Sequence, residues 1–125
     1  MVGDSDVGKT FLCSQNQLPE RPAHTIGVEY FAKTIPIKPT GFAGLRLWDS
    51  SGQKQYANMI KTHCRRVVGA LIVFDLTQEV TFQRVPLWVQ VIREGSSNAV
   101  LMLVGNKRDL VQENPSLRAV TFENA

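Results

Sequence analysis

Two stretches, Ala70-Leu71-Ile72-Val73-Phe74 and Val100-Leu101-Met102-Leu103-Val104, are apolar at every position. Unbroken runs of this length predict strands covered on both faces, as in a parallel sheet. Between them Val85, Trp88, Val89 and Ile92 recur at i, i+3, i+4 and i+7, which predicts a helix laid on that sheet. Gly95 is placed to end this helix, and Pro86, lacking an N–H, delays its start. Earlier in the chain Val28 to Ile37 is rich in β-formers, but Pro36 suits an edge strand and not a central one. Pro39 to Gly44 reads as a turn into Leu45-Arg46-Leu47-Trp48, so these two segments predict an antiparallel hairpin. The whole pattern predicts an α/β fold, a mostly parallel sheet with one antiparallel edge hairpin.

Polar residues gather where the strands end, the edge at which open α/β sheets bind ligands. Leu45 to Trp48 runs into Asp49, Ala70 to Phe74 into Asp75, and Val100 to Val104 into Gly105-Asn106-Lys107-Arg108-Asp109. Near the start, Gly3-Asp4-Ser5-Asp6-Val7-Gly8-Lys9-Thr10 satisfies G-x-x-x-x-G-K-[ST]. Chance produces such a match on the order of once in a few hundred chains of this length. Glycines let the backbone curl so that successive N–H groups face a polyphosphate, and a helix starting near Gly8 adds its positive end. Lys9 would reach the β- and γ-phosphates and the Thr10 hydroxyl would hold Mg²⁺.

Asp49-Ser50-Ser51-Gly52 has the form D-x-x-G: a carboxylate to anchor Mg²⁺ and a glycine N–H for the γ-phosphate. Gln53 follows, positioned to orient an attacking water. Alone this is an ordinary turn signal; after a phosphate loop and a strand it gains weight. Asn106-Lys107-Arg108-Asp109 then decides the base. A carboxylate at Asp109 accepts from guanine N1–H and the 2-amino group, whereas adenine has an acceptor at N1 and lacks that amino group. At roughly 1.5–3 kcal/mol for each charge-assisted bond, guanine should win by about a hundredfold or more. Lys107 can lay its aliphatic stem along the ring system. A P-loop ATPase or nucleoside monophosphate kinase is disfavoured by Asp109.

Composition narrows the field without naming a function. The 125 residues suit one domain, and 43% apolar with 20% charged residues is ordinary for a soluble globular chain. The apolar run Val67 to Phe74 is under half of a bilayer span, and no signal peptide opens the chain. Two distant cysteines, Cys13 and Cys64, make neither a disulfide framework nor a zinc site and suit a reducing compartment. His24 and His63 have no metal-ligand partners at helical spacing. The net charge of +3 is mild, and the cluster Lys61, His63, Arg65 and Arg66 reads as a solvated helix face, so nucleic acid is not an expected partner.

Taken in order, GDSDVGKT, TIGVEY (Thr25 to Tyr30), LWDSSGQ (Leu47 to Gln53), LIVFDLT (Leu71 to Thr77), LVGNKRD (Leu103 to Asp109) and the RAVTFENA ending resemble Ras-superfamily small GTPases, the Rab branch in particular. The resemblance covers nearly the whole chain. It implies the P-loop NTPase fold and GTP/GDP with Mg²⁺ as cofactors. The implied function is a switch that hydrolyses GTP to GDP in vesicle trafficking and intracellular protein transport. The nucleotide-contacting set it implies is Gly3, Asp4, Ser5, Asp6, Val7, Gly8, Lys9, Thr10, Phe11, Thr25, Gly52, Asn106, Lys107 and Asp109. Thr10, Thr25 and Asp49 would ligate the metal, and Gln53, Lys9 and Thr25 would be catalytic. Effector, exchange-factor and GAP proteins would dock on Ile26–Tyr30, Leu45–Trp48 and the segment after Gln53, a GAP supplying an arginine in trans.

Departures from the family pattern carry expectations of their own. Asp6 stands where the family commonly has glycine. A carboxylate about 5 Å from a phosphate would cost roughly 3 kcal/mol at an effective dielectric of about 20. His63-Cys64-Arg65-Arg66 replaces Tyr-Tyr-Arg-Gly, and the stretch between Lys9 and Thr25 is shorter and lacks the aromatic that caps guanine. Residues 1–125 are expected to form a single partial domain lacking most of the first strand, the last strand and the last helix. The parent family associates with the cytosolic face of membranes through a prenyl group. No lipidation motif is present here, so a cytoplasmic chain that does not anchor itself is expected. A missing central strand would leave buried backbone groups unpaired at about 1–3 kcal/mol each. The alternative reading is therefore an impaired or non-binding GTPase fragment acting only as an interaction module.

Overall fold

The computed structural model describes residues 1–14, 24–65 and 67–124. The expectations about the stretch between Lys9 and Thr25 and about Arg66 fall wholly or partly outside these residues. Helix α1 (Lys9–Cys13) is followed by strands β1 (Val28–Pro36) and β2 (Phe42–Ser50), then helix α2 (Ala57–His63). Strand β3 (Gly69–Asp75), helices α3 (Glu79–Gln83) and α4 (Val85–Gly95), strand β4 (Val100–Asn106) and helix α5 (Arg108–Glu113) complete the order.

β1 and β2 form the expected antiparallel hairpin, in register from Val28 opposite Ser50 to Pro36 opposite Phe42. Pro36 lies at the distal end of β1, where a missing N–H costs least. The turn is tighter than Pro39 to Gly44. Ile37 donates its amide to Gly41 O at 2.8 Å, and β2 already begins at Phe42. Phe42 to Gly44 therefore belong to the strand, because pairing with β1 continues out to them.

β3 and β4 pair in parallel, Gly69 with Val100 through Asp75 with Asn106. Among the described residues the two pairs of strands are separate sheets whose backbones are joined through Met1 and Val2. Val2 donates to Leu71 O at 2.9 Å and accepts from Val73 at 2.8 Å, while Met1 O accepts from the Ser50 amide at 3.3 Å. Two residues thus fill part of the gap where unpaired backbone was expected.

Two buried clusters form the core, a smaller one of Phe74, Leu76, Val111 and Val120 and a larger one that includes Ala70 and Ile72 of β3. Ile60, Cys64, Ala70, Ile72, Trp88 and Ile92 pack together, with Val85 and Val89 half-buried against them. The 3.6-residue pattern from Val85 to Ile92 is therefore the buried stripe of α4, with Pro86 in its first turn and Gly95 at its end. β4 departs from expectation. β3 is covered, but Val100 is 72% and Met102 60% exposed. An apolar run shows that a strand wants cover, whereas α4 in crossing to β4 packs against β3 and leaves β4 open.

Candidate functional site

Gly8 adopts a left-handed backbone, and a Cβ there would collide with the Asn106 side-chain amide. That amide donates to Val7 O at 2.7 Å, tying the glycine loop to the end of β4. α1 begins at the next residue. Lys9, 6% exposed, turns back over the loop and donates to Gly3 O at 3.0 Å and Asp4 O at 2.6 Å. Burial lowers its pKa, opposed by the nearby carboxylate of Asp49.

Asp49 leaves β2 directly beneath α1. The Thr10 hydroxyl donates to Asp49 Oδ2 at 2.6 Å, and the hydroxyls of Thr10 and Thr25 meet at 2.9 Å. The three expected metal ligands are therefore adjacent, although they come from a helix, a loop and a strand. Asp49 is fully buried, its Oδ1 has no hydrogen-bond partner among the described residues, and burial raises its pKa against the pull of Thr10 and Lys9. A set of hard oxygen donors with one orphaned carboxylate oxygen fits Mg²⁺. A cavity of about 300 Å³ opens beside them. Ser5, Asp6, Gly8, Lys9, Thr10, Thr25 and Gly52 line it, as do His24, Ser50 and Ser51, which sequence reasoning did not single out. Gly52 is pressed against the loop, where a Cβ would overlap the Ser5 amide.

Asp6 sits at φ 64°, the left-handed region that explains glycine at this position in relatives of the motif. Its carboxylate is 70% exposed and lies 3.4 Å from His24 Nδ1. Exposure screens its repulsion of a phosphate below the value expected from an effective dielectric of about 20. The Asp4 side chain points into the protein. Its Oδ1 accepts from Trp88 Nε1 at 2.9 Å and its Oδ2 from Arg84 Nη1 at 2.7 Å, so only its backbone faces the site. Val7 is likewise buried and contributes backbone, while Phe11 is partly exposed on α1 away from the cavity lining.

Gln53 is not in the cavity wall; its Oε1 accepts from Gln55 Nε2 at 2.8 Å. Asp109 lies exposed in the first turn of α5. Lys107, at φ 61°, places Nζ 2.6 Å from Asp75 Oδ2. Burial alone would raise the Asp75 pKa; the ion pair with Lys107 and hydrogen bonds from Thr77 outweigh it and hold the carboxyl below its usual range. The sequence signal for Asp75 was its place at the end of an apolar run, and nothing local marked Lys107 as its partner.

The sequence model of the Ras family matches residues 1–125. This chain belongs to the Ras family. It is 39% identical to the Ras-related protein Rab11B of Nicotiana tabacum, an alignment that covers all of this chain and 57% of that protein. The Ras-related protein RABA1g of Arabidopsis thaliana gives the same identity and coverage. The GTP-binding protein ypt3 of Schizosaccharomyces pombe is also 39% identical, with 58% of it covered. The Ras-family chain thus spans under two thirds of the length of these Rab-type relatives. Its phosphate loop, held to β4 by the Asn106–Val7 bond, and the root of its hairpin at Ser50 shape the cavity. Among the described residues no helix is long and apolar enough to cross a membrane.

Proposed function

We propose that this chain carries the guanine-nucleotide site of a Rab-like switch that hydrolyses GTP to GDP, with vesicle transport as its cellular setting. One observation carries the reading: Lys9, Thr10, Thr25 and the orphaned Asp49 carboxylate converge at the start of α1. Loop amides and Lys9 receive the phosphates, Lys9 exchanging its two loop carbonyls for phosphate oxygens. Thr10, Thr25 and Asp49 hold Mg²⁺, which when bound supplies charge that offsets what develops on the transferring phosphoryl group. Gln53 gives up Gln55 to orient water, and Gly52 offers its amide as it moves off Ser5. Asn106 braces the loop while Asp109 accepts from the guanine edge, with the stem of Lys107 beside the ring.

The exposed aromatic surface supports a partner-binding role. The Tyr30 and Trp48 rings meet at a tilt, 5.0 Å between centres, and His63 lies 5.5 Å from Trp48. Together with Ile26, 79% exposed, these rings form the face on which effector, exchange-factor and GAP proteins dock.

Competition binding into the millimolar range, read by ligand-observed NMR with Mg²⁺, tests the reading. GDP and GTP should displace one another and ATP should not. Asp109→Asn should move preference from guanosine to xanthosine diphosphate by about a hundredfold, because an amide N–H replaces a carboxylate oxygen as partner for the 2-position. Equal displacement by ATP, or an unchanged preference in Asp109→Asn, would remove the guanine assignment.

A further inference from the structure

The far end of the β1–β2 hairpin takes no part in the nucleotide site, yet its surface is unusual. Phe42, 79% exposed, opens β2 opposite Pro36, and Ile37, 52% exposed, enters the turn beside them. Singly exposed apolar residues are ordinary. Here two of them share the tip of a projecting hairpin, and the charges around them have one sign. From Ala32 to Arg46 the chain carries Lys33, Lys38 and Arg46 and no acidic residue. All three cations are exposed, and among the described residues none is paired with a carboxylate.

The register sets their depths. Lys33 faces Leu45 and Arg46 faces Ala32, three and four pairs behind the Pro36–Phe42 pair. At about 3.4 Å per residue these cations stand roughly 10–14 Å behind the tip, with stems able to lean along the hairpin. Lys38 is in the turn itself. Interfacial apolar groups settle about 5–10 Å into the headgroup–acyl boundary, which puts the cations at headgroup level. The acids Glu29 and Asp49 pair at the root of the hairpin, about 24 Å from the tip and beyond a Debye length at physiological salt.

We infer that the hairpin tip is a docking surface for anionic lipid bilayers, with Phe42 and Ile37 entering the boundary and Lys33, Lys38 and Arg46 taking lipid phosphates and carboxylates. A bilayer accepts a convex apolar wedge without a fitted pocket, whereas a protein partner would have to supply one. The contact is weak, reversible and salt-sensitive, a dock and not an anchor.

Sedimentation of the full chain with vesicles tests it. On phosphatidylcholine vesicles carrying about 30% phosphatidylserine, the bound fraction should be about five- to tenfold that on phosphatidylcholine alone. It should fall to the neutral-vesicle level at about 0.5 M salt. Ile37→Ser with Phe42→Ser should lower it about tenfold, and Lys33→Glu with Arg46→Glu should abolish the preference for the anionic vesicles. These positions are exposed, so circular dichroism of the variants should match the parent. Arg65→Glu with Arg108→Glu makes the same charge change elsewhere and should leave binding within about twofold. Equal binding to both vesicles, binding that survives loss of Ile37 and Phe42, or equal loss in the two charge-reversed pairs would overturn the assignment.

Discussion

Asp49 and Asp75 stand at the ends of two consecutive strands, β2 and β3, and are buried to the same degree, 0% and 1% exposed. Asp75 is paired within its own chain, its Oδ2 by a close ion pair that lacks hydrogen-bond geometry. Lys107 Nζ meets Oδ2 at 2.6 Å, and Thr77 gives Oδ1 its amide at 2.8 Å and its hydroxyl at 2.7 Å. Among the described residues Asp49 receives the Thr10 hydroxyl on Oδ2 and nothing on Oδ1. Burial pushes both carboxyls up, but only at Asp75 do partners reverse the direction. Equal burial with opposite directions of shift is what the proposed metal role of Asp49 and a structural role of Asp75 lead one to expect.

The largest consequence is in ligand affinity. Asp49→Asn should weaken Mg²⁺-dependent GDP binding by about a hundredfold or more, roughly 2.7 kcal/mol, while Asp75→Asn should stay within about fivefold. Titration of each variant with and without Mg²⁺ decides it. Equal losses would mean that Asp49 is no more a ligand than Asp75.

Stability should run the other way. In urea unfolding without nucleotide, Asp75→Asn should lose about 2–3 kcal/mol, because charge-assisted bonds go and Lys107 is left unpaired. Asp49→Asn should be neutral or slightly stabilising, since it removes a buried charge that the Thr10 hydroxyl and Lys9 only partly compensate. The pH dependence carries the same signs. Asp75 titrates below its unfolded value, so its contribution is present above that value and is lost as pH falls through the lower folded one. Asp49 titrates above its unfolded value, so protonating it favours the folded chain as pH falls between the two. Asp75→Asn should therefore be less sensitive than the parent to acid below about pH 4, and Asp49→Asn more sensitive just above it.

What could be read from sequence follows the same divide. Lys9, Thr10, Asp49 and Asn106 were legible because the roles proposed for them fix residue type and spacing within short motifs, and the structure gathers them from three elements, α1, β2 and β4. The period of Val85 to Ile92 was legible because one helix face meets one sheet. Long-range completion was not. The inward turn of Asp4 onto Arg84 and Trp88 and the pairing of Asp75 with Lys107 join residues whose local contexts give no hint of each other. The exposure of β4 was illegible for a related reason: Val100 to Val104 reads like Ala70 to Phe74, and cover is supplied by neighbours, not by the strand itself. Asp6 was read as a charge near a phosphate, but its left-handed backbone and its exposed position facing His24 depend on the folded loop.

The smallest test sharpens the contrast through the threonines. Thr77→Val removes one hydroxyl donor from Asp75 Oδ1 and keeps the backbone donor, so it should cost about 1 kcal/mol of stability. Among the described residues, Thr25→Val removes a hydroxyl that meets only another hydroxyl, that of Thr10, which still has Asp49 Oδ2 to donate to. Its cost to the nucleotide-free chain should stay within about 0.5 kcal/mol, with its main effect appearing once Mg²⁺ and nucleotide are added. Equal costs in urea unfolding without ligand would mean that the Thr10–Thr25–Asp49 cluster is a structural network like that of Asp75, and the distinction between the two aspartates would fail.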